Sequence, residues 1–567
     1  MSSLPQLPKN APIQEFSKPI KGGEVIGAAV VLAACLLIMY WQTIWSRFAV
    51  TEGGGDSVLY NVILEHQWRW ISGDASHRSL WSPPVFFPQA KIAGYTDLML
   101  GVFPAYAAFR LIGADPQTAF QLWMVTMSAL NYLAAYLLLR ALVLASAGAS
   151  AIGAAFFAMG SPRLAQTGHP QLLPGFFVVA VFGGLYLLLS DAPATLPRRR
   201  LSIGLLLAGG GAIAQIYTAF YNAWFMAFSA AVALLCALLV PRFRQRLFEF
   251  LQRYWLPCVI SAVVAALFLA PVVRVYYGVL RDVGERQYSE VQRFLPPVTA
   301  WLAQGPDHWI YGSLNRWRGI GPDFGGQEMF NGIGLLTTAL VLAGFLRFRS
   351  RPVVAIWAAI GAISLVASLA WPGGFSFWGW AYAYFPAAKA IRAVSRFSVF
   401  LLLPAAIAVA LSIDWLAKRV SPLLAAFCMI AVVAEQAGSS GLVPVYSRVT
   451  VEGPAEAIVH RLGPECKTFL ASFPRNSTSV PWMHIFAMWA ELQSGVPTLN
   501  GYSGQVPPAW PLGDVSVAGP PDRVRLVAAI REWMGRHPRE IENVCWITPD
   551  APTAELIKST ETGGGAN

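Results

Sequence analysis

Charge is scarce in this chain. Of its 567 residues, 13% are Asp, Glu, Lys or Arg, against about 25% in soluble proteins. A water-facing surface needs more, so most of the length is built for lipid. The basic excess (41 Lys and Arg against 30 Asp and Glu) falls in short clusters. It forms no continuous basic face of the kind nucleic acid requires. Phosphate-binding loops, dinucleotide fingerprints and the HExxH metal motif are absent, which argues against nucleotide hydrolysis. Cysteine is also sparse, at six residues. Cys35, Cys236, Cys258 and Cys428 lie in or beside apolar runs and read as small buried hydrophobes.

Apolar residues make up 56% of the chain. A crossing needs about 20 of them. Eleven runs qualify, some only with their flanks: Val25–Ile44, Ala119–Leu139, Ala149–Met159, Gly175–Leu189, Leu201–Tyr217, Asn222–Val240, Leu256–Val273, Gly332–Phe345, Val353–Trp371, Val399–Leu416 and Leu423–Glu435. The chain thus reads as a polytopic α-helical membrane protein of about eleven transmembrane helices. Residues 1–23 form a polar tail, and the first run lacks a cleavage site, so it reads as a signal anchor. The clusters at the N-terminal lysines, Arg140, Arg198–Arg200, Arg242–Arg246, Arg347–Arg351 and Lys418-Arg419 all fall on one side if the N-terminus is inside and the C-terminus outside. Gly94–Gly113 is left over. Parity and its Asp97, Pro104 and Arg110 make it an interfacial helix rather than a crossing.

The polar mass then gathers outside, in loops 46–93, 161–171, 277–330 and 372–396 of a 24–438 membrane domain, and in residues 439–558. The last region reads as a small extracytoplasmic α/β domain, followed by a disordered tail, 559–567. Lys467–Ser472 and Val544–Thr548 suggest strands, and Val480–Leu492 and Asp522–Met534 suggest helices. Cys466 and Cys545 beside those strands suit a disulfide in an oxidising compartment, with two reduced thiols as the alternative.

The outer loops hold the candidate chemistry. Gly53-Gly54-Gly55-Asp56 sets one carboxylate at the mouth of a span, before a helix over 57–71 that reads as amphipathic and interfacial. Asp56 suits a general base; an N-cap is the plainer reading. Glu65 and His66 either face the same cavity or lie on a solvated helix face. Trp81–Pro88 is an aromatic passage suited to interfacial anchoring or to a lipid tail or sugar ring. Asp97 is a lone acid in lipid-like sequence and ranks second as a catalytic candidate. Arg163, His169 and Gln171 share one tight loop. His169 has no second and third metal ligand at diagnostic spacing. Arg392 and Arg396, four apart, suit a phosphate clamp or membrane anchoring, with Lys389 one turn earlier. Glu328 stands at the rim of a span, and Tyr217 and Tyr221 suit a lining role.

The order of these features resembles the GT-C superfamily of integral-membrane glycosyltransferases: Gly-Gly-Asp after the first span, the aromatic passage, Tyr95-Thr96-Asp97-Leu98-Met99-Leu100, then Gly168-His169-Pro170-Gln171, and Asn500-Gly501-Tyr502-Ser503-Gly504 in the C-terminal region. The resemblance is to poorly characterised bacterial members. It implies a polyprenyl-phosphate sugar donor, an envelope glycan, lipid or protein acceptor, and a site on the outer face of the bacterial inner membrane. It assigns the family's first-loop acid to Asp56. Many members pair that acid with a second, but Ser57 and Val58 follow here. No metal ligand set is therefore evident, a single-base mechanism is favoured, and Mg or Mn stays an open cofactor. A flippase, an O-antigen ligase or polymerase, and a non-catalytic assembly protein are the rival readings.

Overall fold

The computed structural model describes residues 22–143, 145–189, 193–320 and 325–558. The tail before residue 22, with its lysines, lies outside the described residues. So do Asp323, the Arg242 side chain and the 559–567 tail.

All eleven apolar runs fall on helices. Among the described residues, eight helices are long and apolar enough to cross a membrane: Gly22–Trp45, Pro116–Ala141, Pro170–Leu189, Arg198–Thr218, Phe220–Leu239, Phe243–Val283, Val394–Arg419 and Pro422–Leu442. The other three runs lie on shorter helices, Ala147–Met159, Leu335–Arg347 and Pro352–Ser368. The protein is a multi-pass membrane protein. Its apolar centre is dense with aromatics, such as Phe225 stacked on Phe397 at 4.4 Å. The long charge-free stretch from Leu201 breaks at Ala219, which is extended (φ −149°, ψ 130°).

Four boundaries differ from the sequence reading. The seventh helix runs from Pro241 to Val283, so Tyr277, Arg281 and Asp282 are helical rather than loop. Pro257 and Pro271 lie inside it without ending it. Only Phe103–Leu111 of the 94–113 segment is α-helical, nine residues, or about 13 Å against a hydrocarbon core of about 30 Å. The third departure is α2, Gly55–Ile71, in which Ser57 to Gln67 are all buried. This is a buried helix and not an interfacial one, because the C-terminal region packs on the side that would otherwise meet water. Finally, Asp56 does not cap it. Gly54 holds the cap position and Asp56 is the second residue of the first turn.

The C-terminal region is tied to the membrane part at both ends of α2. Strand β1, Val50–Glu52, pairs antiparallel with β2, Val445–Ser447. The Val480–Ser494 helix then packs on α2. Further out, β3, Phe469–Ala471, lies parallel to the Asn543–Ile547 strand, which pairs with Glu555–Lys558. Cys466 and Cys545 form a disulfide between these strands.

Candidate functional site

The Gly53–Asp56 turn is built by its glycines. Gly53 has φ +147°, and a Cβ there would sit 2.1 Å from Ser57 Oγ. Its N–H donates to Pro444 O at 2.6 Å. The turn is thereby pinned to the start of the C-terminal region. Asp56 emerges at the positive end of α2, where a carboxylate is favoured. Its Oδ1 accepts from the Tyr502 hydroxyl at 3.0 Å. Its Oδ2 lies 3.6 Å from His169 Nε2.

His169 links two carboxylates, since the same Nε2 lies 3.8 Å from Glu328 Oε1. Burial, then the charge on Arg396, pushes the imidazole down to about 4, so it is neutral at pH 7. Glu328 is saturated. Its Oε1 accepts from Arg396 Nε at 3.0 Å and Nη2 at 2.6 Å. Its Oε2 accepts from Ser395 Oγ at 2.9 Å and Gln166 Nε2 at 3.3 Å. Burial alone would raise this carboxyl; Arg396, with His169 and the other donors, outweighs it and holds the group down at about 2. Tyr221 backs the arginines. Its ring lies under the Arg396 guanidinium at 5.1 Å, and its hydroxyl accepts from the Arg392 and Ala393 N–H groups at 3.1 Å. The Arg392 guanidinium stacks on Phe294 at 5.1 Å and has no carboxylate partner among the described residues.

Asp97 is near this group but committed elsewhere. Its Oδ1 accepts from Phe220 N at 2.6 Å, at the start of the helix after the Ala219 break. Tyr60 donates to its Oδ2 at 3.2 Å. Burial pushes it up to about 6.

The remaining candidates lie away from Asp56. Nine residues along α2 turn a side chain about 180° and move it about 13 Å, so Glu65 points to the far side. There it is buried and accepts from Tyr106 at 2.8 Å and from Arg110 and Arg69. His66 is buried against His77, with Nδ1 to Nδ1 at 2.8 Å. Neither residue lies on a solvated face. Arg163 turns inward and donates to the carbonyls of Phe157, Leu172 and Leu173. Gln171, eight positions on, is also buried, with Oε1 unpartnered among the described residues. Tyr217 donates to Phe268 O on a neighbouring helix. Lys389 pairs with Glu285 at 2.6 Å in the open.

Tyr502 was missed as a site residue. The Asn500–Gly504 stretch was visible, but nothing in the sequence says it folds back onto residue 56. Gln166 and Ser395 were also missed, because each acts only through Glu328.

No protein-family model matches the chain, and no curated protein matches it in sequence. Its fold does match solved structures. One is the Archaeoglobus fulgidus oligosaccharyltransferase in complex with Zn and sulfate, at 12% identity and a TM-score of 0.52, covering 91% of this chain and 67% of that one. Another is the oligosaccharyltransferase AglB from the same archaeon, in complex with an inhibitory peptide and a dolichol-phosphate. It is 13% identical, with a TM-score of 0.50, covering 93% of this chain and 70% of that one. Identity this low speaks for fold alone: this chain is similar in fold to these two archaeal oligosaccharyltransferases.

Proposed function

We propose that this chain is an inverting glycosyltransferase that moves a sugar from a polyprenyl-phosphate donor to a hydroxyl acceptor on the outer face of a bacterial inner membrane. Eleven crossings, N-terminus inside and C-terminus outside, set the basic clusters in the cytoplasm. Residues 24–438 form the transferase domain and residues 439–558 an extracytoplasmic domain that selects the acceptor, a glycan, lipid or protein of the envelope. The observation carrying this is the meeting of Asp56, His169, Glu328 and Arg396 under Tyr502.

Asp56 takes the proton of the acceptor hydroxyl as its oxygen attacks the anomeric carbon. The bond from that carbon to the phosphate oxygen breaks, and the polyprenyl phosphate leaves with the electron pair. Arg396 keeps Nη1 free of Glu328, which binds only Nε and Nη2. That nitrogen and the unpaired Arg392 stabilise the developing charge. Neutral His169 orients the Asp56 carboxylate through Nε2. The Tyr502 hydroxyl sits where the acceptor hydroxyl has to come, and the acceptor displaces it.

The Asp56–His169 separation of 3.6 Å suits two ligands of one divalent cation, the rest of whose shell would come from water and donor phosphate. Bound there, such a cation would add positive charge beside the leaving phosphate. Glu328 fits poorly as a ligand because all its acceptor positions are in use.

The test is sugar transfer in proteoliposomes from a panel of polyprenyl-phosphate sugars, comparing wild type with Asp56→Asn. Equal activity in both would overturn the assignment.

A further inference from the structure

A groove of about 580 Å³ opens between the Trp41 end of α1, Gly22–Trp45, and the end of the Pro422–Ala437 helix, and Asp56 is not in its lining. Leu37, Ile38 and Trp41 form one wall, Gly438 and Trp309 the other, and Asp307 stands in its lining. The Ala147–Met159 helix packs against both flanking helices. Leu37, Trp41 and Trp309 are all more than half exposed.

The second wall is built and held. His308 is buried and donates through Nε2 to Glu435 O at 2.8 Å, while Nδ1 accepts from the Ile310 and Tyr311 N–H groups at 3.1 Å. A carbonyl can only accept, and two N–H groups can only donate, so one tautomer satisfies all three bonds. Trp309 Nε1 donates to Ala434 O at 3.1 Å. Its ring lies where any Cβ at position 438 would meet it, at 2.3 Å. Glycine at 438 is thus what lets the indole lie flat against the helix end.

We propose that this groove binds a membrane phospholipid with an amine-bearing, zwitterionic headgroup. The apolar wall of α1 takes an acyl chain, and tryptophans at the edge of a span mark headgroup level. Asp307 is the one ionisable residue in the lining, and it receives the ammonium. Arg316 lies 3.9 Å from Asp307; it holds Pro306 O and, at 3.4 Å, Ser313 Oγ. Its exposed side meets the headgroup phosphate. A polyprenyl phosphate can meet Arg316 but leaves Asp307 without a cation, whereas a zwitterionic headgroup satisfies both. This groove is therefore distinct from the donor position proposed above. It also backs onto residues 438–444, whose last carbonyl receives Gly53 N–H. An occupied groove braces the turn that carries Asp56.

Binding is measured on the full chain after incorporation into nanodiscs of equal phosphatidylethanolamine and phosphatidylglycerol, with retained lipid counted by native mass spectrometry after transfer to detergent. Wild type should keep the amine lipid over the anionic one by about fivefold, the upper range for an exposed charge pair. Asp307→Asn, an exposed change that leaves the fold alone, should bring the two to parity. Gly438→Ala, which displaces Trp309, should lower retention of both, with the elution profile and melting temperature used to confirm folding. Equal retention in wild type, an Asp307→Asn variant that keeps the preference, or preferential retention of added polyprenyl phosphate would overturn the proposal. The readout is lipid binding, so the result stands whether or not the chain transfers sugar.

Discussion

Replacing Glu328 by glutamine tests the electrostatic core of the site. Glu328 and Arg396 form an ion pair at 2.6 Å, with side-chain exposures of 12% and 7%. Removing one charge leaves a buried guanidinium without compensation, which costs about 3–5 kcal/mol. The acid limb gives a second route to the magnitude. The Glu328 carboxyl is held at about 2 against an ordinary 4.5. A depressed folded-state value stabilises the fold above the unfolded value, and that stability is lost as pH falls through the folded one. The difference of about 2.5 units is about 3 kcal/mol at 1.36 kcal/mol per unit, present in full above about pH 5 and lost progressively towards pH 2. The assay is thermal or denaturant unfolding in detergent from pH 7 down to pH 3, for wild type and Glu328→Gln. The variant should lose about 3 kcal/mol at pH 7 and show a shallower acid limb. The double variant Glu328→Gln/Arg396→Met should recover much of that stability, because it removes the stranded charge. A single-variant loss under about 1 kcal/mol, the range of an exposed pair, with an unchanged acid limb would refute the reasoning.

Asp56→Asn should fold as wild type and lose about 10²–10⁴ in turnover, read in the proteoliposome assay. Tyr502→Phe removes a single hydrogen bond, so its stability change should stay near 1 kcal/mol. Its effect should fall on the KM for acceptor, and an equal change in donor KM would count against Tyr502 as the displaced group. The docking of the Val480–Ser494 helix on α2 should be acid-sensitive. His66 and His77 are held by burial at about 4 and about 3, beside the buried Glu65 and Glu491 and the half-buried Arg69 and Asp74. Depressed imidazoles give stability that is full above about pH 6.5 and fades towards pH 3. Protection factors over residues 480–494, corrected for the intrinsic pH dependence of amide exchange, should therefore fall between pH 7.5 and pH 5, and factors independent of pH would refute this. Replacing Cys466 and Cys545 by serine should cost about 2–5 kcal/mol in unfolding of the C-terminal region, and no loss would show that the sheet needs no staple.

The helices were legible because lipid demands long apolar runs, and the one imitation, Gly94–Gly113, was separated by parity and its charged residues. All eleven runs lie on helices for that reason. The loops were legible as a set but not by contact. Asp56, His169, Glu328 and Arg396 come from four separate segments, and each was visible as a polar residue beside a span. Glu65 and His66 misled because sequence distance along α2 had no partner to set its rotation. Once the Val480–Ser494 helix covers α2, both residues belong to a buried network with Arg69, Arg110 and His77. The covering helix lies more than 400 positions away in sequence, and no local signal links the two. Asp97 was visible as an acid in apolar sequence. Its hydrogen bond to Phe220 N depends on the break at Ala219, which the sequence suggested only as a cluster of polar residues around Gln215 and Asn222.

The three carboxylates that act on Arg396 differ in what they have left to give. Glu328 accepts from Arg396, Ser395 and Gln166, so both its oxygens are occupied by groups that do not leave. Asp97 holds a helix start and the Tyr60 hydroxyl, and moving it would uncover backbone N–H at a break between two apolar helices. Asp56 has one hydroxyl partner, on the turn Asn500–Gly504, and an imidazole at 3.6 Å, beyond a tight hydrogen bond. A carboxylate must be free to accept a proton if it is to act as a base, and among these three only Asp56 has partners that can withdraw. Its lone position in the sequence, with serine and valine where a second acid would stand, thus has a structural counterpart. The second negative charge is supplied from a distant loop by Glu328, and Arg396 has already neutralised it. On the proposed reading, the site thus sets one proton acceptor, Asp56, beside Arg392 and the free edge of Arg396 without two acids side by side. The glycines before Asp56 and the tie to Pro444 hold that acceptor at the mouth of the span, and the C-terminal region supplies the hydroxyl that guards it.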